Sequence, residues 1–138
     1  MPRIVALDVG DATIGIAATD ELELTANPVR TVRRTRSIKA DLRAVEQALT
    51  ELEAQRVVVG LPLTAEGEEG FQARKVKDFS SRLAGRLSIP VELWDESFST
   101  SDAEKLLIEV DTSRARRKKV IHGAAAAVIL DSYLRSRP

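Results

Sequence analysis

The hydrophobic pattern changes its period within the first third of the chain, and this change constrains the fold more than any other feature. Residues 3–9 (RIVALDV) and 12–19 (ATIGIAAT) are apolar and β-branched, and the link between them contains Gly10. Two such runs separated by a short glycine-containing link predict a β-hairpin. A third strand is predicted over residues 24–32, where Pro28 favours an edge or a bend because proline cannot donate to a sheet.

Helical and strand patterns then alternate along the chain. A helix is predicted over residues 38–54, since apolar residues recur there every three or four positions and Ser37 can cap the first turn. An unbroken buried strand follows at residues 57–59 (VVV) and is ended by Gly60-Leu61-Pro62. The remaining predicted elements are a helix marked by Val76, Phe79, Leu83 and Leu87, a strand at 89–94, a short capped helix at 101–110 and an alanine-rich helix at 120–134.

This order of elements predicts an α/β fold with a mixed sheet. Three strands followed by alternating helices and strands favour a five-stranded sheet whose first three strands are antiparallel and whose others are parallel, flanked by helices. Residues 1–138 would form one domain, with the least structured stretches at 64–70 and 111–119. Ligands in such sheets bind at the carboxyl ends of the parallel strands, so candidate functional residues are expected there.

The composition excludes several kinds of site. The 138 residues contain no cysteine, which excludes disulfides, cysteine zinc sites and a cysteine nucleophile. The 21 basic and 21 acidic residues give no net charge, so the choice of partner depends on where the charges lie. The apolar run in the first ten residues is too short for a secretory signal or a membrane span, which favours a cytoplasmic protein without membrane contact.

Asp8 is the first residue that packing alone does not explain. It interrupts an apolar strand, where an ionised carboxylate is costly unless it is paired or binds a metal. Gly10, Thr13 and Gly15 follow it closely, and small residues with accessible backbone amides suit an approaching phosphate. The alternative is that Asp8 is a strand-end aspartate that hydrogen-bonds the following turn. The glycines would then belong to the hairpin, because hairpin turns need glycine in any case.

A second acidic position lies at the end of the fifth predicted strand, where Asp95 and Glu96 are adjacent. Asp8 and Glu96 would form a carboxylate pair able to hold a hard divalent cation, with Asp95 as a further candidate ligand. Alternatively, Asp95 and Glu96 support the helix predicted to begin near Ser101, because acidic residues are favourable at helix N-termini.

Basic residues are clustered although the total charge is balanced. One acid-free run comprises Arg30, Arg33, Arg34, Arg36 and Lys39, and a second comprises Arg114, Arg116, Arg117, Lys118 and Lys119. Charge runs are usually solvated surface, but two of them in a neutral chain favour a face that contacts a polyanion. The few aromatic residues lie mostly at apparent core positions, so contacts to a nucleic-acid backbone are expected rather than base stacking.

Five segments resemble, in order and spacing, the motifs of the YqgF-type (RuvX) family of ribonuclease-H-like nucleases: DVGDATIGIAATD, VVVGLPL, FQARKVKDF, WDESFST and KKVIHGAAAAVILDSYL. The resemblance covers nearly the whole chain. It implies a ribonuclease-H-like fold and divalent-metal phosphodiester hydrolysis, with Holliday junctions or the precursor of small-subunit ribosomal RNA as substrates. The implied partner is therefore branched DNA or an rRNA precursor, and cutting both strands of a junction would require a homodimer.

The resemblance assigns Asp8 and Glu96 as the first-strand and fifth-strand carboxylates of the site. The third family carboxylate corresponds to His122, the only histidine of the chain. Neutral imidazole suits transition ions better than Mg²⁺, so Mn²⁺ is favoured over Mg²⁺ as the cofactor. Asp11 is an alternative third ligand, in which case His122 would be a surface or capping residue. Asp11 and Ser97 stand where the family usually has Thr and Arg.

The sequence therefore predicts a metal-dependent endonuclease in which Asp8 and Glu96, with His122 or Asp11, hold one or two divalent ions. Gly10 and Thr13 would approach the phosphate, and the basic runs would neutralise the nucleic-acid backbone. Two alternatives remain open. One is a non-catalytic nucleic-acid-binding module whose metal site has decayed, and the other is an actin-like or sugar-kinase ATPase, which needs two such domains.

Overall fold

The computed structural model describes residues 3–20, 22–23, 25–63, 67–95 and 114–136, with the backbone alone at 114–123. Its central sheet has the strand order β3-β2-β1-β4-β5. The strands are β1 (Arg3–Val9), β2 (Thr13–Thr19), β3 (Ala26–Arg33), β4 (Ala54–Leu61) and β5 (Val91–Asp95). β1, β2 and β3 pair antiparallel, whereas β1–β4 and β4–β5 pair parallel. The predicted mixed α/β sheet is confirmed, and β3, which contains Pro28, forms one edge.

The described helices are α1 (Ile38–Glu51), α2 (Phe71–Ala84) and α3 (Arg114–Ser136). Ser37 caps α1 as predicted, because its side chain accepts a hydrogen bond from the Ala40 N–H at 3.2 Å. α1 ends before residue 54, however. Glu53 adopts a left-handed backbone conformation with φ of 54°, and the next residue already begins β4, which requires an extended backbone.

The second helix and its flanks differ slightly from the predicted pattern. α2 ends at Ala84 with Gly85 at the C-cap, so Leu87 lies beyond the helix, although it still packs against the core. The strand predicted at 57–59 is longer and starts at Ala54, and the fifth strand starts at Val91. The short helix predicted at 101–110 lies outside the described residues.

The start of the last helix corrects the sequence analysis. Residues 111–119 are predicted to be among the least structured, yet α3 begins at Arg114 and includes the whole second basic run. Arginine, lysine and alanine are good helix formers, and no glycine or proline interrupts residues 114–122. The alanine-rich helix therefore extends backward through the basic residues instead of beginning at Val120.

Alternation along the strands separates two apolar layers. Val5, Leu7 and Val9 of β1 pack on the sheet face that α1 and α2 cover. Ile4 and Ala6 pack on the opposite face, together with the α3 residues Ala126, Ile129, Leu130 and Tyr133. None of the helices in the described part of the chain has the length and apolarity needed to cross a bilayer.

Candidate active site

Asp8 lies near the carboxyl end of β1, on the sheet face that α3 covers. The apolar residues at alternate positions before it pack on that face, and strand alternation gives Asp8 the same orientation. Its partner on β2 is Gly15. On the β4 side, Leu7 pairs with Val59, so the next residue along β4 is Gly60. The half-buried carboxylate is thus flanked on both neighbouring strands by a glycine.

Thr13 supplies a second polar group on this face. It lies two residues before Gly15 on β2, which makes it a diagonal neighbour of Asp8, about 7–8 Å away between Cα atoms. The Thr13 Oγ1 is buried and has no hydrogen-bond partner among the residues that the structure describes. Buried hydroxyls without a partner are uncommon and cost free energy. The arrangement therefore suits a bound group that exchanges a hydrogen bond there, such as a phosphate oxygen or a metal-bound water.

The turn between β1 and β2 is held in place by Arg34, which follows β3. The Gly10 N–H donates to the Thr13 carbonyl at 2.9 Å, and the Arg34 N–H donates to the Ala12 carbonyl at 2.9 Å. The Arg34 side chain donates from Nη1 to the Gly10 carbonyl, again at 2.9 Å. Arg34 therefore anchors the turn. Contact of Gly10, Thr13 or Arg34 with nucleic acid stays a prediction.

Asp41 is a buried acid that the sequence analysis missed. It lies in the first turn of α1, and its side chain is only 1% exposed. Its carboxylate accepts hydrogen bonds from the Arg34 Nε at 3.1 Å and from the Thr35 N–H and hydroxyl, both at 2.9 Å. Burial raises the pKa of Asp41, but these hydrogen bonds and the Arg34 charge outweigh burial and hold the pKa below its ordinary value. Acids in a first helical turn are usually solvated, so the pattern gives no sign of this burial.

β5 carries Asp95 at its end, and Trp94 fixes this strand to α3. The Trp94 Nε1 donates to a serine hydroxyl of α3 at 3.2 Å, and its ring meets Tyr133 edge to face with the centroids 5.5 Å apart. Because side chains alternate along a strand, the half-buried Asp95 lies on the face opposite to Trp94 and hence opposite to Asp8. Glu96 lies outside the described residues. The metal-ligand roles of Asp95 and Glu96 stay predictions.

The two candidates for the third ligand lie on different elements. Asp11 is exposed in the β1–β2 turn, and its Oδ1 pairs with the Lys75 Nζ of α2 at 3.2 Å. His122 belongs to α3, four residues before the buried Ala126. Among the side chains that the structure describes, which include neither Glu96 nor His122, no group of three or more His, Asp or Glu could hold a metal ion. The choice between Asp11 and His122 stays a prediction.

The basic residues predicted to bind nucleic acid occupy two places in the fold. Arg33 ends β3 and Arg36 precedes α1, and both are exposed. The second run, at the start of α3, comprises Arg114, Arg116, Arg117, Lys118 and Lys119. Lys118 and Lys119 are four and three positions before His122, which is about one helical turn. Contacts of both runs with nucleic acid stay predictions.

The strand order and pairing define a protein with a ribonuclease-H-like fold. The structure of Thermus thermophilus RuvC in complex with a Holliday junction substrate matches with a TM-score of 0.64 and 13% identity, covering 99% of this chain and 98% of that chain. The fowlpox virus Holliday junction resolvase matches with a TM-score of 0.57 and 16% identity, covering 98% of this chain and 99% of that chain. At such low identity these likenesses establish the fold alone.

Sequence comparison then gives the family within that class. The family described as "RuvX: Holliday junction resolvase" matches residues 2–136. A protein of Symbiobacterium thermophilum named "Putative pre-16S rRNA nuclease" is 48% identical over 135 residues, which cover 98% of this chain and 93% of that protein. A Myxococcus xanthus protein of the same name is 48% identical over 132 residues, which cover 96% of this chain and 87% of that protein. The chain belongs to the RuvX (YqgF-type) nuclease family, which confirms the resemblance of its motifs.

Proposed function

We propose that this chain is a divalent-metal-dependent endonuclease that hydrolyses a phosphodiester bond of structured nucleic acid. The proposal is carried by the half-buried Asp8 carboxylate, which has glycines at the neighbouring strand positions and the buried Thr13 hydroxyl on the same face. A face built only for packing would carry larger apolar side chains at these strand positions and would satisfy a buried hydroxyl. The membership of a nuclease family supports the same reaction class.

The donor set of this face fits a hard divalent cation. A carboxylate and a hydroxyl offer the oxygen atoms that Mg²⁺ and Mn²⁺ prefer, directly or through metal-bound water. In this proposal Asp8 and Glu96 hold the cation, and His122 or Asp11 completes its ligands. A cation bound there would lower the pKa of a bound water and stabilise the charge that develops on the phosphate.

The remaining residues of the proposed site position the substrate. Thr13 donates a hydrogen bond from its hydroxyl to a phosphate oxygen, and Gly10 lets the backbone approach the phosphate closely. Arg34 keeps this turn at a fixed distance from Asp8 through its bond to the Gly10 carbonyl. The basic start of α3 neutralises the phosphates that flank the cut, so substrate binding depends strongly on salt.

We favour the precursor of 16S ribosomal RNA as the substrate. Relatives with 44–48% identity, aligned with 96–98% of this chain, are named for that activity. The alternative is a Holliday junction, after the family description. Cutting both strands of a junction would require a homodimer with two active sites, whereas one subunit suffices for a cut in a single strand. Both substrates would place the protein in the cytoplasm.

A cleavage panel tests the proposed function. A 16S rRNA precursor fragment, an unstructured single-stranded RNA and a four-way DNA junction are each incubated with the protein in Mg²⁺, in Mn²⁺ and in EDTA. We expect metal-dependent cleavage of the precursor that is abolished in Asp8→Asn, because the amide is nearly isosteric but carries no charge for the metal. Asp78→Asn is the matched control, since Asp78 is exposed on α2 and pairs with Arg82.

Each outcome of the panel has a distinct meaning. Cleavage of the junction but not of the precursor would mean that the substrate is the junction, while the proposed phosphodiester hydrolysis would stand. Cleavage by Asp8→Asn at the wild-type rate would remove Asp8 from the site. Binding that is unaffected by Asp8→Asn, without cleavage in any metal, would favour a non-catalytic nucleic-acid-binding module.

A further inference from the structure

Phe71 is an exposed aromatic residue near the end of the sheet where Asp8 lies. It is the first residue of α2, and 71% of its surface is exposed. α2 follows β4, which runs parallel to β1, so the helix begins on the side of the sheet where β1 ends. The other aromatic side chains that the structure describes pack against the two apolar layers: Phe79, Trp94 and Tyr133. Within the described residues, Phe71 is therefore the aromatic ring most accessible to a ligand.

Lys75 connects Phe71 to the turn that follows Asp8. The Lys75 Nζ lies 4.5 Å from the centroid of the Phe71 ring, one helical turn along α2. The same Nζ is 3.2 Å from Oδ1 of Asp11, which lies in the β1–β2 turn three residues after Asp8. The ammonium group therefore lies between the ring and this turn, which places the two next to each other. It covers one face of the ring, and the exposure of Phe71 shows that ring surface remains open to solvent.

We propose that Phe71 is a stacking platform for an unpaired nucleobase next to the scissile phosphate. This inference rests on the proposed nuclease function and adds one feature of its substrate, a nucleotide that is unpaired beside the cut. An aromatic ring stacks on every base, so the contact selects unpaired structure rather than sequence. Lys75 adds a positive charge beside the ring, where the phosphate of such a nucleotide would lie. The bases of a continuous duplex are already stacked and gain nothing from the platform.

Leu22 offers a matched control for ordinary surface exposure. It is 74% exposed in the turn between β2 and β3. Because β2 runs antiparallel to β1, this turn lies at the end of the sheet opposite to Asp8. The two residues are thus similarly exposed and apolar. They differ in aromaticity and in distance from the proposed site.

Fluorescence of 2-aminopurine tests the proposal without cleavage. The probes are a short single-stranded RNA that carries one 2-aminopurine and its fully paired duplex, both titrated in EDTA. We expect the wild type to bind the single strand and to quench the 2-aminopurine by stacking. Phe71→Leu should bind the single strand at least about fivefold more weakly, the lower end of the effect of base–aromatic stacking, and should lose the quenching. Phe71→Trp should retain both properties, and Leu22→Ala should match the wild type.

The duplex and a folding control separate the possible outcomes. Equal single-strand affinity and quenching in Phe71→Leu and the wild type would overturn the stacking role and leave the nuclease function intact. Equal weakening of single strand and duplex would also overturn it, because the residue would then act without regard to base pairing. A wild type that binds no nucleic acid would overturn the proposed function together with this inference. Thermal unfolding verifies that Phe71→Leu, which changes an exposed side chain, is folded.

Discussion

Arg34 and Asp41 form an ion pair with 3.1 Å between the Arg34 Nε and the Asp41 Oδ2, and their side chains are 18% and 1% exposed. The same guanidinium donates to the Gly10 carbonyl and lies over the ring of Phe79 on α2, 5.2 Å from its centroid. The Arg34 side chain thus contacts the turn after Asp8 and also α1 and α2, the helices on the sheet face opposite to Asp8. Both the stability of the fold and the placement of the proposed site therefore depend on this pair.

Asp41→Asn should lower the free energy of unfolding at pH 7 by about 2 kcal/mol, in the range for a hydrogen bond to a charged group. Asparagine keeps an acceptor for Thr35 but leaves the Arg34 guanidinium without its counterion. Urea unfolding followed by circular dichroism measures the loss. The exposed pair of Asp78 and Arg82 is the control, since Asp78→Asn should cost less than about 1 kcal/mol.

The contribution of Asp41 to stability should also depend on pH with a definite sign. Burial raises the pKa of its carboxyl. The hydrogen bonds from Thr35 and Arg34 and the Arg34 charge lower the pKa by more than burial raises it, so the pKa in the folded state lies below the unfolded value. The stabilisation is then fully present above the unfolded pKa and is lost as the pH falls through the folded pKa. The difference in unfolding free energy between wild type and Asp41→Asn should therefore narrow below about pH 4. A difference that widens on acidification would contradict this direction.

Arg34→Lys should lower the rate of cleavage more than the affinity for substrate. Lysine keeps the positive charge, but one ammonium group cannot bond Asp41 and Gly10 with the geometry of a planar guanidinium. The turn loses an anchor, and a shift of about 1 Å near the reacting groups can cost up to about 100-fold in rate. We expect kcat to fall at least about tenfold with little change in KM. A raised KM with an unchanged kcat would instead make Arg34 a phosphate contact. Arg82→Lys, on the exposed face of α2, is the control and should leave both constants unchanged.

The basic start of α3 should bind phosphates without reading bases. Replacing Arg116, Arg117 and Lys118 by Ala should weaken binding to all sequences and reduce the slope of log affinity against log salt by up to about three, close to one for each lost contact. Alanine favours helix, so the backbone of α3 should be preserved. Fluorescence anisotropy at several salt concentrations measures the slope. Arg135→Ala, at the other end of α3 and 81% exposed, should leave the slope unchanged. An unchanged slope in the triple variant would mean that the run is solvated surface.

The architecture could be predicted because hydrophobic period is a local property of the sequence. The bounds of β1 and the order of strands and helices follow from it directly. The end of α1 cannot be predicted from the hydrophobic period, because Ala54 joins β4 by pairing with Arg3, a residue far away in the chain. The predicted start of α3 is wrong for another reason. The polar segment 111–119 is predicted to be among the least structured, although its residues from Arg114 onward are good helix formers continuous with an alanine-rich helix.

The candidate site was only partly predictable for similar reasons. Asp8 stands out in the sequence because a carboxylate interrupts an apolar strand. Asp41 does not stand out, since its burial depends on Arg34, which approaches from outside the helix. Phe71 escapes sequence analysis because its exposure depends on how α2 is rotated against the sheet. Residues that interrupt a local pattern can be recognised from sequence, whereas those defined by a tertiary contact require the structure.

Mn²⁺ should support faster cleavage than Mg²⁺, and His122→Asp should narrow this difference. Mg²⁺ keeps near-octahedral oxygen coordination, so an imidazole in place of a carboxylate removes both a negative charge and a preferred donor. Mn²⁺ accepts nitrogen ligands more readily. Initial cleavage rates of the wild type and His122→Asp in each metal, at equal metal concentration, measure the effect.

His122→Ala and Asp11→Asn decide between the two candidates for the third ligand. If the imidazole is a ligand, His122→Ala should slow cleavage with both metals, and Asp11→Asn should cleave at nearly the wild-type rate because Asp11 is exposed and pairs with Lys75. If Asp11 completes the site, its ion pair must open when the metal binds, and Asp11→Asn should then lose cleavage. His122→Ala would in that case leave both the rate and the metal preference unchanged, an outcome that would overturn the assignment of His122.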